Sequence, residues 1–123
     1  MERLSVSEGI SQISDSNTFS GIASVTSYLS KDLATLNRVY KVEFSPNSAT
    51  NWHSHSGVQI LVITSGVCIV QTWNEQVIEA VTGDLVCFEA GEKHWHGASS
   101  EKSASHIAIN FGDKTDWMEV VNR

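Results

Sequence analysis

The feature that most limits what this chain can fold into is its punctuation. From residue 18 onward, short runs rich in Val, Ile, Thr, Phe and Tyr are separated by turn signals such as Ser65-Gly66, Trp73-Asn74-Glu75, Thr82-Gly83-Asp84 and Ala90-Gly91-Glu92. No window longer than about ten residues keeps a helical period. The runs predict strands near 18–29, 37–45, 50–55, 58–65, 67–73, 75–80, 85–88, 93–97 and 104–111. Short strands at such close, regular spacing predict an all-β sandwich or barrel. The one proline, Pro46, falls at a predicted strand end, where its missing N–H breaks no ladder. Residues 1–17 are polar and are read as a loosely held lead-in with a short helical turn. The tail from Asp113 to Arg123 carries Trp117, Met118, Val120 and Val121, and predicts a short helix or strand packed on the body.

The chain has 123 residues, the size of one domain, so a single unit spanning 1–123 is expected. At that size one core buries roughly two-thirds of the surface that an unfolded chain exposes. The net charge is −6 and no Lys/Arg cluster occurs, the wrong sign for a nucleic-acid or anionic-membrane partner. Cys68 and Cys87 both sit in apolar runs and are expected to be buried small hydrophobes. With neither a signal-like start nor a run of about 20 apolar residues, a cytoplasmic setting is expected.

Against this ordinary background the histidines stand out. All five, His53, His55, His94, His96 and His106, fall between residues 53 and 106, and none precedes Trp52. Side chains alternate across a strand, so His53 and His55 share a face, and Gln59 joins them if the segment stays extended. Leu61 and Ile63 continue that face toward the core. His94 and His96 repeat the pattern, and His106, Ala108 and Asn110 share a face on the last long strand. Rings from three strands can thus project into one interior. Imidazole is the commonest nitrogen ligand of zinc, iron, manganese and copper, and three of them with one further donor leave coordination positions open. On spacing alone, His96 is open as a further ligand, a support or a base, and His106 is not excluded from the ligand set.

The spacing resembles the two motifs of the cupins. The first reads His53-Ser54-His55, then Gln59, then Gly66; the second reads Gly83, Glu89, Gly91, His94. The resemblance covers about residues 38–111 and implies a single cupin domain, a double-stranded β-helix or jelly-roll barrel. Asn47 stands where the first motif expects a glycine, Glu89 where the second has proline, and Ala98 where it often ends in asparagine. The departure that touches the ligands is Gln59, where most cupins have Glu. The strings Gly91 to Ala98 and Asp116 to Glu119 are similar to small bacterial cupins, among them the manganese-dependent hydroxynitrile lyases and the carboxymuconolactone-decarboxylase-like proteins. That resemblance implies a divalent metal ion held by His53, His55, Gln59 and His94, with Mn(II) favoured and Fe(II), Zn(II) or Ni(II) able to serve. It also implies His96 and His106 as pocket histidines, and assembly into a homodimer or larger homo-oligomer.

Four neutral ligands leave the ion its full charge, which favours Lewis-acid chemistry on a hydroxyl, a carbonyl or a small anion. A neutral imidazole beside a dication resists protonation and stays available as a base, the role expected of His106 or His96. Tyr40, Val42 and Asn110 are expected to line the substrate pocket, with Phe44, Val86 and Phe88 read as core. Trp52 and Trp95 fall out of phase with the ligand face and are expected at the outer surface or an interface. The function expected first is a lyase that splits a cyanohydrin into aldehyde and cyanide. The alternatives are a dioxygenase, an isomerase and a non-enzymatic small-molecule-binding cupin.

Overall fold

The computed structural model describes residues 3–33 and 36–123. A 3-10 turn at Val6–Glu8 precedes thirteen strands among the described residues. They are β1 (Ile10–Ile13), β2 (Phe19–Ser20), β3 (Ala23–Leu33), β4 (Leu36–Phe44), β5 (Ala49–Thr50), β6 (His53–His55) and β7 (Gln59–Ser65). The rest are β8 (Val67–Thr72), β9 (Ile78–Val81), β10 (Leu85–Phe88), β11 (His94–Ala98), β12 (Ala104–Phe111) and β13 (Thr115–Trp117). Every predicted run overlaps one or two of these strands. The lead-in differs from expectation. Ile10–Ile13 is a strand that pairs with residues 24–27 of β3, whose free edge offers backbone groups for it to satisfy.

Two antiparallel sheets form the body. The six-stranded sheet runs β1-β3-β4-β12-β7-β10. The other runs β13-β6-β11-β5-β2, with β8 on β11 and β9 on β8. Inward side chains of both sheets meet in one apolar core. Val42, Phe44, Leu61, Ile63 and Ala108 come from the first sheet, and Cys68, Val70, Ala80 and Ala98 from the second. Strand β7 shows the cause: Gln59, Leu61 and Ile63 are buried while Ile60, Val62 and Thr64 are only partly so, the period of two that a sheet imposes.

The turns need particular residues. Gly66 joins β7 to β8 at φ +67°, and a Cβ there would stand 2.4 Å from the Ser103 carbonyl oxygen. Asn47 takes the motif glycine's place at φ 64°, a conformation that asparagine tolerates.

Two expectations fail on the outside of the second sheet and at its counterpart's edge. Trp95 and Trp52 are buried, 1% and 8% exposed, not at the surface. The tail covers them: Met118 and Val121 pack on their cluster, and Met118 N–H donates to the Trp52 carbonyl at 2.8 Å. Out-of-phase side chains on that sheet therefore meet a second small core. Cys87, expected buried, is exposed, because β10 is an edge strand that turns Cys87 and Leu85 outward and Phe88 inward. Cys68 is buried as expected. Among the described residues no helix is long and apolar enough to cross a membrane.

Candidate metal centre

Cross-strand pairing assembles the site. In β11, His94 lies opposite His53 of β6, and β12 carries His106 on the sheet that faces them. The chain between His55 and Gln59 turns tightly at Gly57, whose Cβ, if it had one, would lie 2.0 Å from the Phe111 carbonyl oxygen. That close approach delivers Gln59 to β7 immediately beside Asn110 of β12. All five imidazoles end up buried, with ring centroids 4.3 Å apart for His53 and His94, 4.9 Å for His53 and His55, and 4.8 Å for His96 and His106.

Each ring is held by one nitrogen. His53 Nδ1–H donates to the Asn51 carbonyl at 2.8 Å, and His94 Nδ1–H to the Glu92 carbonyl at 2.7 Å. His55 Nδ1 pairs with Thr115 Oγ1 at 3.0 Å, and His96 Nδ1 with His106 Nε2 at 3.0 Å. Such tethers fix tautomer and ring orientation in metal sites; they leave Nε2 turned inward on His53, His55, His94 and His96, and Nδ1 on His106. His55 Nε2, His96 Nε2 and His106 Nδ1 are buried with no hydrogen-bond partner. Buried polar atoms are rarely left so, and a role as ligands of a metal ion would account for them.

Gln59 supplies a sharper test. Its Nε2 donates to Asn110 Oδ1 at 2.8 Å and to Tyr40 Oη at 3.2 Å, so its Oε1 is the atom that faces His94 Nε2 at 3.1 Å. His94 has already spent its proton on the Glu92 carbonyl, so two lone pairs confront each other. A proton is a poor remedy, because burial lowers the His94 pKa to about 4. A cation between them removes the conflict. The residues present therefore fit a divalent metal.

Burial governs the other rings too. It lowers His106 to about 3 and holds His53 and His96 well below the ordinary imidazole range, with neighbouring imidazoles adding to the effect on the last two. His55 is lowered by burial as well. The cluster is thus neutral near pH 7, the state in which nitrogen ligates.

The expected ligands are placed as follows. Among the described residues, His53, His94 and His96 have ligand atoms within 4.8 Å of one another. His55 and Gln59 border this trio, His55 on the side of His53 and His94, Gln59 on the side of His94. His106 reaches the trio through His96. Tyr40 and Asn110 form the hydrogen-bonded network behind Gln59, while Val42 lies in the apolar core. His55 also lines two outer clefts, one of about 180 Å³ with Arg38, Asn110 and Lys114, the other with Gly91 and Asp116. Access to the buried rings therefore runs past His55.

Three contributors escaped the sequence reading. Phe88, read as plain core, stacks on the His94 ring at 3.7 Å between centroids. Trp117 lies 4.5 Å from the His53 ring, and Thr115 holds His55. The last two are cross-strand partners of those histidines in the β13–β6 pair. Their only sequence signal is the string around Trp117, which has no meaning until β13 is known to close on β6.

Comparison with known proteins places the chain. The family model for the cupin domain matches residues 40–110. An (R)-mandelonitrile lyase from Granulicella tundricola is 42% identical over 83 residues, which are 65% of this chain and 63% of that enzyme. The match thus spans less than two-thirds of the relative's length. A cupin-like protein from Thermotoga maritima superposes with a TM-score of 0.84 at 31% identity, covering 89% of this chain and 86% of its own. A polyketide cyclase from Streptomyces resistomycificus superposes at 0.81 with 14% identity, covering 98% and 87%, a likeness of fold alone.

Proposed function

The chain belongs to the cupin domain family, and from that premise we propose that it is a metal-dependent lyase of hydroxynitrile-lyase type, splitting a cyanohydrin into aldehyde and cyanide. The observation that carries the reading is the confrontation of Gln59 Oε1 with His94 Nε2, which calls for a cation and supplies it with neutral donors only. His53, His55, Gln59 and His94 would hold the ion, Mn(II) first. When bound, it supplies an undiminished dipositive charge that polarises the substrate oxygen. The likeness to an (R)-mandelonitrile lyase supports the choice of reaction.

The chain's own residues then move the proton. His106 takes the cyanohydrin hydroxyl proton on Nδ1. The O–H electron pair forms the carbonyl, the C–CN bond breaks, and its pair leaves with cyanide, which collects the proton as HCN. A base at Nδ1 needs its lone pair there, so His106 Nε2–H must donate to His96 Nδ1, and His96 Nε2 then carries a proton. The shared hydrogen bond makes two roles exclusive: His106 as base, or His96 as ligand. The grouping of His53, His94 and His96 favours the second role and with it a second reading, a cupin oxygenase or binding protein lacking this base.

The Mn(II)-loaded protein is expected to release benzaldehyde from (R)-mandelonitrile above the buffer rate. His106→Asn should lose about 10²-fold or more of that rate with the metal content unchanged. Absence of release from the loaded wild-type protein overturns the lyase reading. A metal content that falls in H96A and holds in H55A favours the second.

The outer face of the six-stranded sheet supports assembly with a second copy. Val39, Ile109, Ile60 and Cys87 form one cross-strand row, and Ile107, Val62 and Leu85 the next. Strands apolar on both faces are normally covered on both. The four strands span roughly 20 by 20 Å, the scale of the apolar centre of an interface burying about 800 Å² per partner. Sedimentation should show a dimer that Ile109→Lys dissociates; a monomeric wild-type protein excludes it.

A further inference from the structure

Behind the imidazoles, three side chains on adjacent strands share one hydrogen-bond network, and its proton count does not close. Gln59 Nε2 donates to Tyr40 Oη at 3.2 Å, and Asn110 Nδ2 donates to the same oxygen at 3.3 Å. Asn110 Oδ1 is already taken by the other Gln59 N–H at 2.8 Å. The phenol oxygen thus serves twice as acceptor, and its own O–H finds no acceptor in the network. Gln59 is the reason. As long as its oxygen faces His94, its amide nitrogen must face Tyr40 and Asn110, which makes the phenol an acceptor from that side.

We propose that Tyr40 is the substrate-facing hydrogen-bond donor of this site, its hydroxyl proton freed by the two amides that donate to its oxygen, and that it selects substrates presenting a carbonyl, nitrile or comparable acceptor. The inference rests on ligation through Gln59 Oε1. A phenol ordinarily keeps its proton across the neutral range. The Arg38 guanidinium sits 4.1 Å over the ring and fixes its plane from the outer side. Arg38 and Asn110, which flank Tyr40, both line the cleft of about 180 Å³ that His55 borders. That volume equals about six waters at ~30 Å³ each, enough for a small organic molecule. A substrate entering there lies against His55 and Asn110, and Asn110 is the amide that donates to the phenol oxygen. The choice of Gln at 59 also acquires a reason: a carboxylate has no N–H to offer and would itself accept the phenol proton.

Calorimetric titration of the Mn(II)-loaded protein with benzaldehyde, an acceptor, and with styrene, a similar shape without one, reads this directly. The wild-type protein should favour benzaldehyde. Tyr40→Phe should lower the benzaldehyde-to-styrene ratio of association constants about tenfold, with manganese stoichiometry and styrene binding within about twofold, the size expected for one hydrogen bond. Gln59→Glu, which keeps a metal ligand and gives the phenol an acceptor, should lower the ratio as well. A ratio unchanged in Y40F, or a wild-type protein that does not discriminate, overturns the proposal. Because binding is read without turnover, a protein that discriminates through Tyr40 and yet leaves mandelonitrile intact sinks the lyase reading alone.

Discussion

The two halves of the barrel interior are built from the same strands and differ in almost every other respect. Strand β7 carries Gln59 at one end and Leu61 and Ile63 at the other; β12 carries Asn110 and His106 with Ala108 and Ala104; β11 carries His94 and His96 with Ala98. In the apolar half, no buried polar side-chain atom of the described residues lacks a partner. In the polar half, buried nitrogens lack partners and two acceptors face each other. The difference teaches that the apolar half stabilises the fold while the polar half is tolerated because the frame is already held. Rule-breaking of this kind, confined to the imidazoles and Gln59, is the mark of a functional site.

The contrast can be broken or sharpened by experiment, starting where the effect is greatest. His94→Ala should abolish stoichiometric manganese binding, seen by elemental analysis, while costing the metal-free protein less stability than a core truncation. Leu61→Ala should do the reverse: a loss of about 2–5 kcal/mol in urea unfolding, because the deleted atoms leave a cavity, with metal stoichiometry retained. Equal stability losses in the two variants would erase the distinction between the halves.

Acid should attack the polar half alone. His94 titrates at about 4 and His106 at about 3 in the folded chain, against about 6.5 unfolded. The unfolded state therefore takes up protons that the folded state refuses. Stability of the metal-free protein is full above about pH 6.5 and falls as the pH drops from there toward 4 and then 3. Each such histidine contributes a slope of about 1.4 kcal/mol per pH unit. Urea unfolding from pH 8 to 4 measures this, and H94A should flatten the curve. A smaller effect is expected at the edge of the site: Thr115→Val frees the His55 ring and should weaken manganese about 10-fold, read by competition with a chelator. Smallest is Lys93→Ala. Lys93 lies 3.6 Å over the Trp73 ring and 2.7 Å from Glu119, which ties the tail to the outer core. Its loss should lower Tm by no more than about 5 °C, since an exposed cation–π contact contributes little.

Strand positions were largely legible because period-two patterning and turn chemistry are local. The run 104–111 and the strand Ala104–Phe111 coincide, and so do 85–88 and Leu85–Phe88. The strand at Ile10–Ile13 was hidden, since four residues with serine and glutamine among them look like a linker until β3 offers an edge. Trp95 was misread for a related reason. Phase along a strand says which face a side chain takes, not whether a tail returns to cover that face. Gln59 was legible as a member of the site, but the direction of its amide was not, because Tyr40 and Asn110 set it from two other strands.

The amino-acid sequence by itself determined the class of fold, the rows of side chains that point inward, and the five imidazoles with one amide that could share an interior, since all of these follow from alternation along single strands. Only the tertiary structure decided which nitrogen of each ring is tethered, which lone pairs collide and which proton is left over. Those properties depend on distances between strands far apart in the chain, and no local pattern carries them.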